Sequence, residues 1–163
     1  KAEIAERGVV EEKAGNSWYQ RSLGAIDIAK GPIRWINVLK KDGGQHSPPK
    51  WWVVLGIPDE RPISNHQTVN IKTVRKKTFP LFGTVVDVIW KGNDSGTDLV
   101  NVLSTDPAIK TLSQRIGNLE IKNHSNEFQG WTLTVDRRFS PTNQDWETLE
   151  KVADHILSSP RRL

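Results

Sequence analysis

The chain has 163 residues, of which 36% are hydrophobic and 26% are charged, and its formal net charge is +4. This length and composition predict one soluble globular domain and exclude an intrinsically disordered chain. The absence of cysteine excludes disulfide scaffolds, thiol catalysis and thiolate metal sites. No apolar run approaches the roughly 20 residues that a membrane-spanning helix requires.

The sequence predicts a single α+β domain over residues 1–163. Residues 1–16 are predicted to form a short helix or an N-terminal extension, because they combine alanine with charges of both signs. The sequence begins at Lys1 rather than methionine, and a tag, a signal peptide or a membrane anchor upstream would each account for this. We expect a location in the cytoplasm or at the cytoplasmic face of a membrane.

Short apolar runs separated by glycine and proline turns fill the first half of the chain. They predict strands near residues 24–29, 33–40, 50–56, 68–75 and 84–91. The strand at 68–75 alternates apolar and polar residues, which predicts one face in the core and one face in solvent. The strand at 84–91 is apolar at most positions, which predicts a central place in the sheet.

Helix signals appear in the last third of the chain. Asp98 is predicted to cap a two-turn helix. Asp106 followed by Pro107 is typical of the start of a second helix, and Gly117 is predicted to end it. Apolar residues of this second helix recur at helical spacing, which predicts one buried side. They are Ile109, Leu112 and Ile116.

A hairpin and a third helix are predicted to follow. Apolar and polar residues alternate strictly over 131–135, which predicts a strand that pairs with a short strand at 119–121. The third helix is predicted to open near Ser140 and to end at about Leu157, so that residues 158–163 form a frayed tail. The complete prediction is an α+β fold. It has a mainly antiparallel, strongly bent sheet of about five to seven strands and a C-terminal helix–hairpin–helix unit.

The charge is distributed unevenly along the chain. Residues 61–92 contain six basic side chains and one acidic side chain, whereas residues 1–60 carry a net charge of +1 and residues 93–163 a net charge of −2. The basic segment is the first candidate binding surface. It consists of Lys72, Arg75, Lys76 and Lys77, with Lys50, Arg61 and Lys91 as candidate neighbours.

Such a basic surface attracts an anionic partner, which is a phospholipid surface, a nucleic acid or an acidic protein. The alternative interpretation is a basic strand that is simply solvated and discourages aggregation at the edge of a sheet. The sequence of this segment does not distinguish a binding surface from a solvated strand, because lysine and arginine side chains are exposed to water in both interpretations.

Two of the seven tryptophans, Trp51 and Trp52, are adjacent and follow a double proline. Neighbouring residues of a strand point to opposite faces. One indole is therefore predicted in the core and the other at a contact surface for a peptide, a sugar or a lipid interface. Burial of both indoles, in a strand covered on both faces, is the alternative. Phe79 and Phe82 lie near the basic segment and are further candidates for stacking against bases.

A second candidate site consists of two carboxylates and a lysine. Asp87 lies on one predicted strand, and Glu120 and Lys122 flank an apolar residue on another. A carboxylate followed by a Glu-x-Lys pattern is typical of restriction-endonuclease-like nucleases, in which the acids hold a divalent cation and the lysine assists the attacking water. The alternative is that Glu120 and Lys122 line the solvent face of a strand. No histidine pair or glycine-rich phosphate loop predicts a metal site or a cofactor.

These patterns favour a non-enzymatic interaction module whose basic surface binds an anionic or macromolecular partner. The soluble part of a membrane-tethered protein is one form of this hypothesis, because each lysine or arginine near anionic lipid contributes about 1 kcal/mol. The alternative hypothesis is a metal-dependent nuclease that uses Asp87, Glu120 and Lys122. We expect no cofactor and no bound metal in the first case.

Overall fold

The computed structural model describes residues 20–62, 68–79, 83–125 and 128–160. The predicted N-terminal segment and residues 161–163 of the predicted tail lie outside these ranges. The described residues form seven strands and three helices. Their bounds are β1 (Gln20–Asp27), β2 (Trp35–Lys41), β3 (Lys50–Pro58), β4 (Asn70–Lys77), β5 (Val85–Asn93), α1 (Leu99–Thr105), α2 (Pro107–Ile116), β6 (Leu119–Ser125), β7 (Gln129–Val135) and α3 (Asn143–Ser158).

The strands form one antiparallel sheet in the order β1-β2-β3-β7-β6-β4-β5. This arrangement confirms the predicted α+β class and the antiparallel sheet. The predicted strong bend is not confirmed, because the sheet is open and has β1 and β5 as its edges. The predicted helix–hairpin–helix unit is not confirmed either. The β6–β7 hairpin lies between β3 and β4, so it belongs to the middle of the sheet.

One face of the sheet, which we call the helix face, packs against the three helices and forms the main core. Four side chains on neighbouring strands stand in one row across this face and are buried. They are Leu55, Leu133, Ile121 and Ile71. Burying an aliphatic side chain of this size stabilises the fold by about 1.5–3 kcal/mol. This row therefore holds β3, β7, β6 and β4 together beneath the helices.

The opposite side of the sheet, which we call the open face, differs from one end to the other. Near β2 and β3 it carries a small apolar cluster made by Trp35, Leu39, Val54 and Phe128, with Trp52 packed against it. Near β4, β5 and β6 the alternation of the strands places polar side chains on this face. They are Lys72, Lys91, Glu120 and Lys122.

The strand at 84–91 was predicted to be central, and this prediction is wrong. The structure places β5 at the edge of the sheet, paired with β4 alone. Its apolar composition has another cause, because α1 and α2 pack against this strand and bury Val88 and Trp90. The prediction for the neighbouring strand is confirmed, since β4 alternates buried and exposed residues from Asn70 to Val74.

The local signals at the helix ends agree with most of the predictions. The carboxylate of Asp106 accepts hydrogen bonds from the backbone N–H groups of Ala108 (3.0 Å) and Ile109 (3.3 Å), and Gly117 follows the last residue of α2. Asp98 occupies the N-cap position of α1, but its side chain makes no capping hydrogen bond. The proline after Asp106 is compatible with the first helical turn, where its missing N–H has no partner to lose.

Gly56, in the middle of β3, leaves no room for a side chain. It stands opposite Trp35 of β2, and a methyl group at this position would overlap the Trp35 ring. We expect Gly56→Ala to lower the free energy of unfolding by about 1–3 kcal/mol, the usual cost of overpacking. Urea denaturation measures this change.

The matched control for this prediction is Gly44→Ala. A methyl group there would meet only the Ser47 hydroxyl, at 3.5 Å, so the change should stay within about 0.5 kcal/mol. A similar loss in both variants would show that contact with Trp35 is not the cause.

Candidate functional site

The β4–β5 hairpin brings two lysines of the basic segment into direct opposition. Lys72 of β4 and Lys91 of β5 are cross-strand partners on the open face. Within the described residues, neither side chain forms an ion pair with a carboxylate. Side chains at directly opposed positions lie about 4.5–5.5 Å apart at their Cβ atoms, and like charges there are destabilising. Glu120 of β6 stands opposite Lys72 on the other side of β4 and offsets part of this charge, so the two lysines present a net positive charge at the edge of the sheet.

Two further lysines extend this charge toward the hairpin turn. Lys76 Nζ lies 3.5 Å from Asp87 Oδ2, while the other oxygen of Asp87 lies 2.6 Å from Lys110 Nζ of α2. The hydrogen bond from Lys110 is the main cause that lowers the pKa of Asp87. Lys77 is exposed. We call Lys72, Lys76, Lys77 and Lys91 together the basic hairpin surface.

Arg75 was predicted to join the binding surface, and the structure places it elsewhere. Its guanidinium donates a 2.7 Å hydrogen bond from Nη2 to the backbone carbonyl of Ser113 in α2. Its Nε is buried and has no hydrogen-bond partner among the described residues. Burial, and after it the charge of Arg137, lowers the pKa of Arg75. Arg75 therefore joins β4 to a helix on the other side of the sheet.

The three candidate neighbours of the basic segment lie in different parts of the structure. Lys91 lies beside Lys72, as described above. Arg61 binds the buried Asp59 through two hydrogen bonds from its guanidinium, at 3.0 and 2.9 Å, and contributes to the fold. Lys50 lies at the start of β3, three strands away from β4. The sequence predicted Lys91 only as a neighbour of the basic segment. Its position opposite Lys72 depends on the register of β4 and β5, which is set by tertiary structure.

The two adjacent tryptophans point to different surroundings, and both are half-buried. Trp52 packs against the apolar cluster of the open face. Trp51 instead contacts two cations, with Lys40 Nζ 5.5 Å and Arg138 Cζ 5.4 Å from its ring centre. Such cation–π contacts contribute about 0.5–1 kcal/mol at exposed sites. The strands β7 and β6 separate both indoles from the basic hairpin surface.

Two adjoining clefts connect the tryptophans with Lys72. The first, of about 370 Å³, is lined by Trp51 and Trp52 together with Pro49, Lys50, Asp136 and Arg137. The second, of about 310 Å³, includes Lys72, Glu120, Thr134 and Asp136 in its lining. The two clefts share Asp136, whose carboxylate accepts hydrogen bonds from the backbone and side chain of Asn118, at 2.7 and 2.6 Å.

The residues of the nuclease hypothesis are not brought together. Asp87 stands opposite Lys76, whereas Glu120 stands opposite Lys72, four positions earlier on β4. Four residues of a strand span about 13 Å. Glu120 Oε1 lies 3.7 Å from Lys122 Nζ on its own strand. Within the described ranges, no group of three or more His, Asp or Glu side chains is arranged to hold a metal ion.

His124 lies on β6 two residues after Lys122, on the same face of the strand as Glu120 and Lys122. Its Nε2 is 2.8 Å from the hydroxyl oxygen of Thr132 on β7. Burial, followed by the charge of Lys122, lowers the pKa of His124 from 6.5 to about 4. The imidazole is therefore neutral near pH 7 and adds no charge to the open face.

No protein-family model, curated protein or solved structure in the comparisons matches the chain. In the part of the chain that the structure describes, no helix has the length and apolar character needed to cross a membrane.

Proposed function

We propose that this chain is a non-enzymatic binding module that holds an anionic partner on the basic hairpin surface. The observation that carries the proposal is the opposition of Lys72 and Lys91 across β4 and β5, with no carboxylate paired to either lysine among the described residues. Phospholipid headgroups, nucleic acid phosphates and acidic proteins all present the negative charge that this surface attracts.

The lysine pair opposes folding and favours the binding of an anion. Two positive charges at directly opposed strand positions repel each other. Negative groups of a partner placed between the lysines remove that repulsion and gain attraction to both. A surface of this kind binds with strong dependence on salt, because the partner releases its counterions when the lysines replace them.

Lys76 and Lys77 continue the surface in the direction of the turn. Asp87 is the only acidic residue of the hairpin strands, and it contacts both Lys76 and Lys110. One carboxylate shared by two ammonium groups leaves the local charge positive.

The test is retention on immobilised heparin in a salt gradient, for the double variant Lys72→Gln and Lys91→Gln. We expect its affinity at low salt to fall by about tenfold or more, because two of the neutralising charges are lost. The same variant should be at least as stable in urea as the unmodified protein, since the repulsion between the two lysines is removed as well.

The matched control carries Lys30→Gln and Arg34→Gln in the connection between β1 and β2. It removes the same charge from the opposite end of the sheet. Its retention should remain close to that of the unmodified protein. An equal loss of retention in both double variants would refute the proposal, because net charge alone would then explain the binding.

A further inference from the structure

The β4–β5 hairpin exposes apolar side chains next to its lysines. The exposed fractions are 73% for Phe79, 55% for Val86 and 37% for Val74. Exposed apolar groups that cluster beside polar residues mark sites of contact with proteins or membranes. The two other large hydrophobic residues exposed in the described ranges, Leu23 and Ile26, lie on β1 at the far edge of the sheet.

Hydrogen bonds between the residues that flank the turn fix the backbone at Phe79. The N–H of Thr78 donates to the carbonyl of Thr84 at 3.1 Å, and the N–H of Gly83 donates to the carbonyl of Phe79 at 3.1 Å. A side chain on Gly83 would overlap the backbone nitrogen of Phe79. The backbone on both sides of the turn is therefore closely packed, and the phenyl ring stands outside it.

A β-bulge accounts for the exposure of Val86. Lys76 is opposite Asp87 and Lys77 is opposite Val85, so Val86 is the extra residue of β5 with no partner in the register. A bulge increases the local twist and protects an edge strand from pairing with another chain. It also turns an apolar side chain outward beside two lysines.

We propose that this hairpin docks on an anionic phospholipid bilayer through its exposed residues Lys76, Lys77, Phe79 and Val86. Phe79 and Val86 enter the interfacial layer, and Lys76 and Lys77 contact the anionic headgroups. The inference rests on the proposed function, because the lysines belong to the basic hairpin surface. It goes further by naming the partner.

The favoured partner follows from the combination of groups. A bilayer interface accepts an apolar side chain and a cation within a few ångströms of each other, at the boundary of headgroups and acyl chains. A nucleic acid uses the lysines but offers no comparable place for the aliphatic Val86 and Val74, since its contacts with aromatic rings are made by stacking. Protruding groups at the edge of a sheet reach a flat surface, whereas a recessed cleft does not.

The first experiment measures cosedimentation with phosphatidylcholine vesicles that contain or lack phosphatidylserine. We expect binding to the vesicles with phosphatidylserine, and Phe79→Ser should weaken it by about tenfold or more, the effect of losing a buried phenyl group. Lys76→Gln and Lys77→Gln should each weaken it by about fivefold. Leu23→Ser is the matched control, because Leu23 is 50% exposed at the opposite edge, and it should bind as the unmodified protein does.

The second experiment places one environment-sensitive fluorophore on the hairpin. The chain contains no cysteine, so Thr84→Cys provides a single labelling position beside the turn that leaves Phe79 intact. The emission of the label should shift to shorter wavelength when phosphatidylserine vesicles are added. A label at Leu23→Cys should show no shift.

The outcomes separate this inference from the proposed function. Salt-dependent retention on heparin without vesicle binding would leave the proposed function in place and overturn the bilayer as the partner. Unchanged vesicle binding by Phe79→Ser would overturn it too. A third outcome is that the protein binds an oligothymidylate about 12 nucleotides long and does not bind vesicles, which would assign the surface to nucleic acid. This length is within the site sizes of about 4–16 nucleotides known for single-strand binding folds. Vesicle binding that survives high salt and the lysine variants would instead contradict the proposed function.

Discussion

Replacing Asp59 with alanine should lower the free energy of unfolding by about 3 kcal/mol. Asp59 is 5% exposed and lies just after β3. Its carboxylate accepts hydrogen bonds from Nε and Nη2 of Arg61, at 3.0 and 2.9 Å, and from the indole Nε1 of Trp131, at 2.9 Å. The change removes the shared acceptor and with it the hydrogen bond of a buried indole N–H, a loss that alone costs about 1–3 kcal/mol.

The same network holds the end of α3. Arg61 also donates from Nη1 to the carbonyl of Ser159 at 3.1 Å and from Nη2 to the carbonyl of Ile156 at 3.3 Å. Breaking a buried ion pair by removing one partner costs about 3–5 kcal/mol. We expect the lower end of this range, because the Arg61 side chain is 39% exposed and water solvates part of its charge.

Urea denaturation near pH 7 measures this effect. Asp42→Ala is the comparison, because Asp42 forms a 2.7 Å ion pair with Lys40 and its side chain is mostly exposed. Exposed pairs contribute about 0–1 kcal/mol, so this variant should lose little stability. Equal losses for the two variants would show that the buried network contributes no more than a surface ion pair.

Lowering the pH from 7 to 4 should destabilise the protein by up to about 3 kcal/mol through His124 alone. Its pKa is lowered from 6.5 to about 4 in the folded state, by burial and then by Lys122. Below pH 6.5 the unfolded chain therefore binds a proton that the folded protein does not. Stability falls as the pH decreases from about 6.5 to about 4, and then falls no further from this cause.

The measurement compares the unmodified protein with His124→Gln at several pH values between 7 and 4. Glutamine carries no titrating group, so the stability of the variant should depend less on pH by this amount. A direct check is nuclear magnetic resonance titration of the imidazole of His124, which should show a midpoint near 4. A midpoint near 6.5, or identical pH profiles for the two proteins, would contradict the burial of a neutral imidazole beside Thr132.

Local signals in the sequence predicted the local structure well. The Asp106-Pro107 pair predicted the start of α2, because a carboxylate and a proline satisfy the first turn of a helix whatever surrounds it. The start of α3 was also predicted to within a few residues. There Thr142 and Asp145 form a reciprocal capping box. This motif requires only two residues that are three positions apart in the sequence.

The apolar composition of a strand was a weaker guide. Most of residues 84–91 are apolar, and this composition is found both in central strands and in edge strands that helices cover. We predicted a central strand, but β5 is an edge strand that α1 and α2 cover. Composition reports how much of a strand is buried, and the partner that buries it lies elsewhere in the chain.

The candidate site was also predicted only in part. Lys72, Lys76 and Lys77 were identified from their charge. Arg75 was included with them because it is one residue away, but β-strand alternation and the position of α2 direct it to the helix face. The opposition of Lys91 to Lys72 and the outward position of Val86 depend on a bulge in the β4–β5 register.

By itself the sequence determined the class of fold, the ends of α2 and α3, the alternation of β4 and the concentration of positive charge in its middle third. These properties depend on residues that are close in the chain. Only the tertiary structure decided the order of the strands, the placement of the β6–β7 hairpin inside the sheet and the opposition of Lys72 to Lys91 on one face. Those properties depend on contacts between distant segments, whose register no single segment encodes.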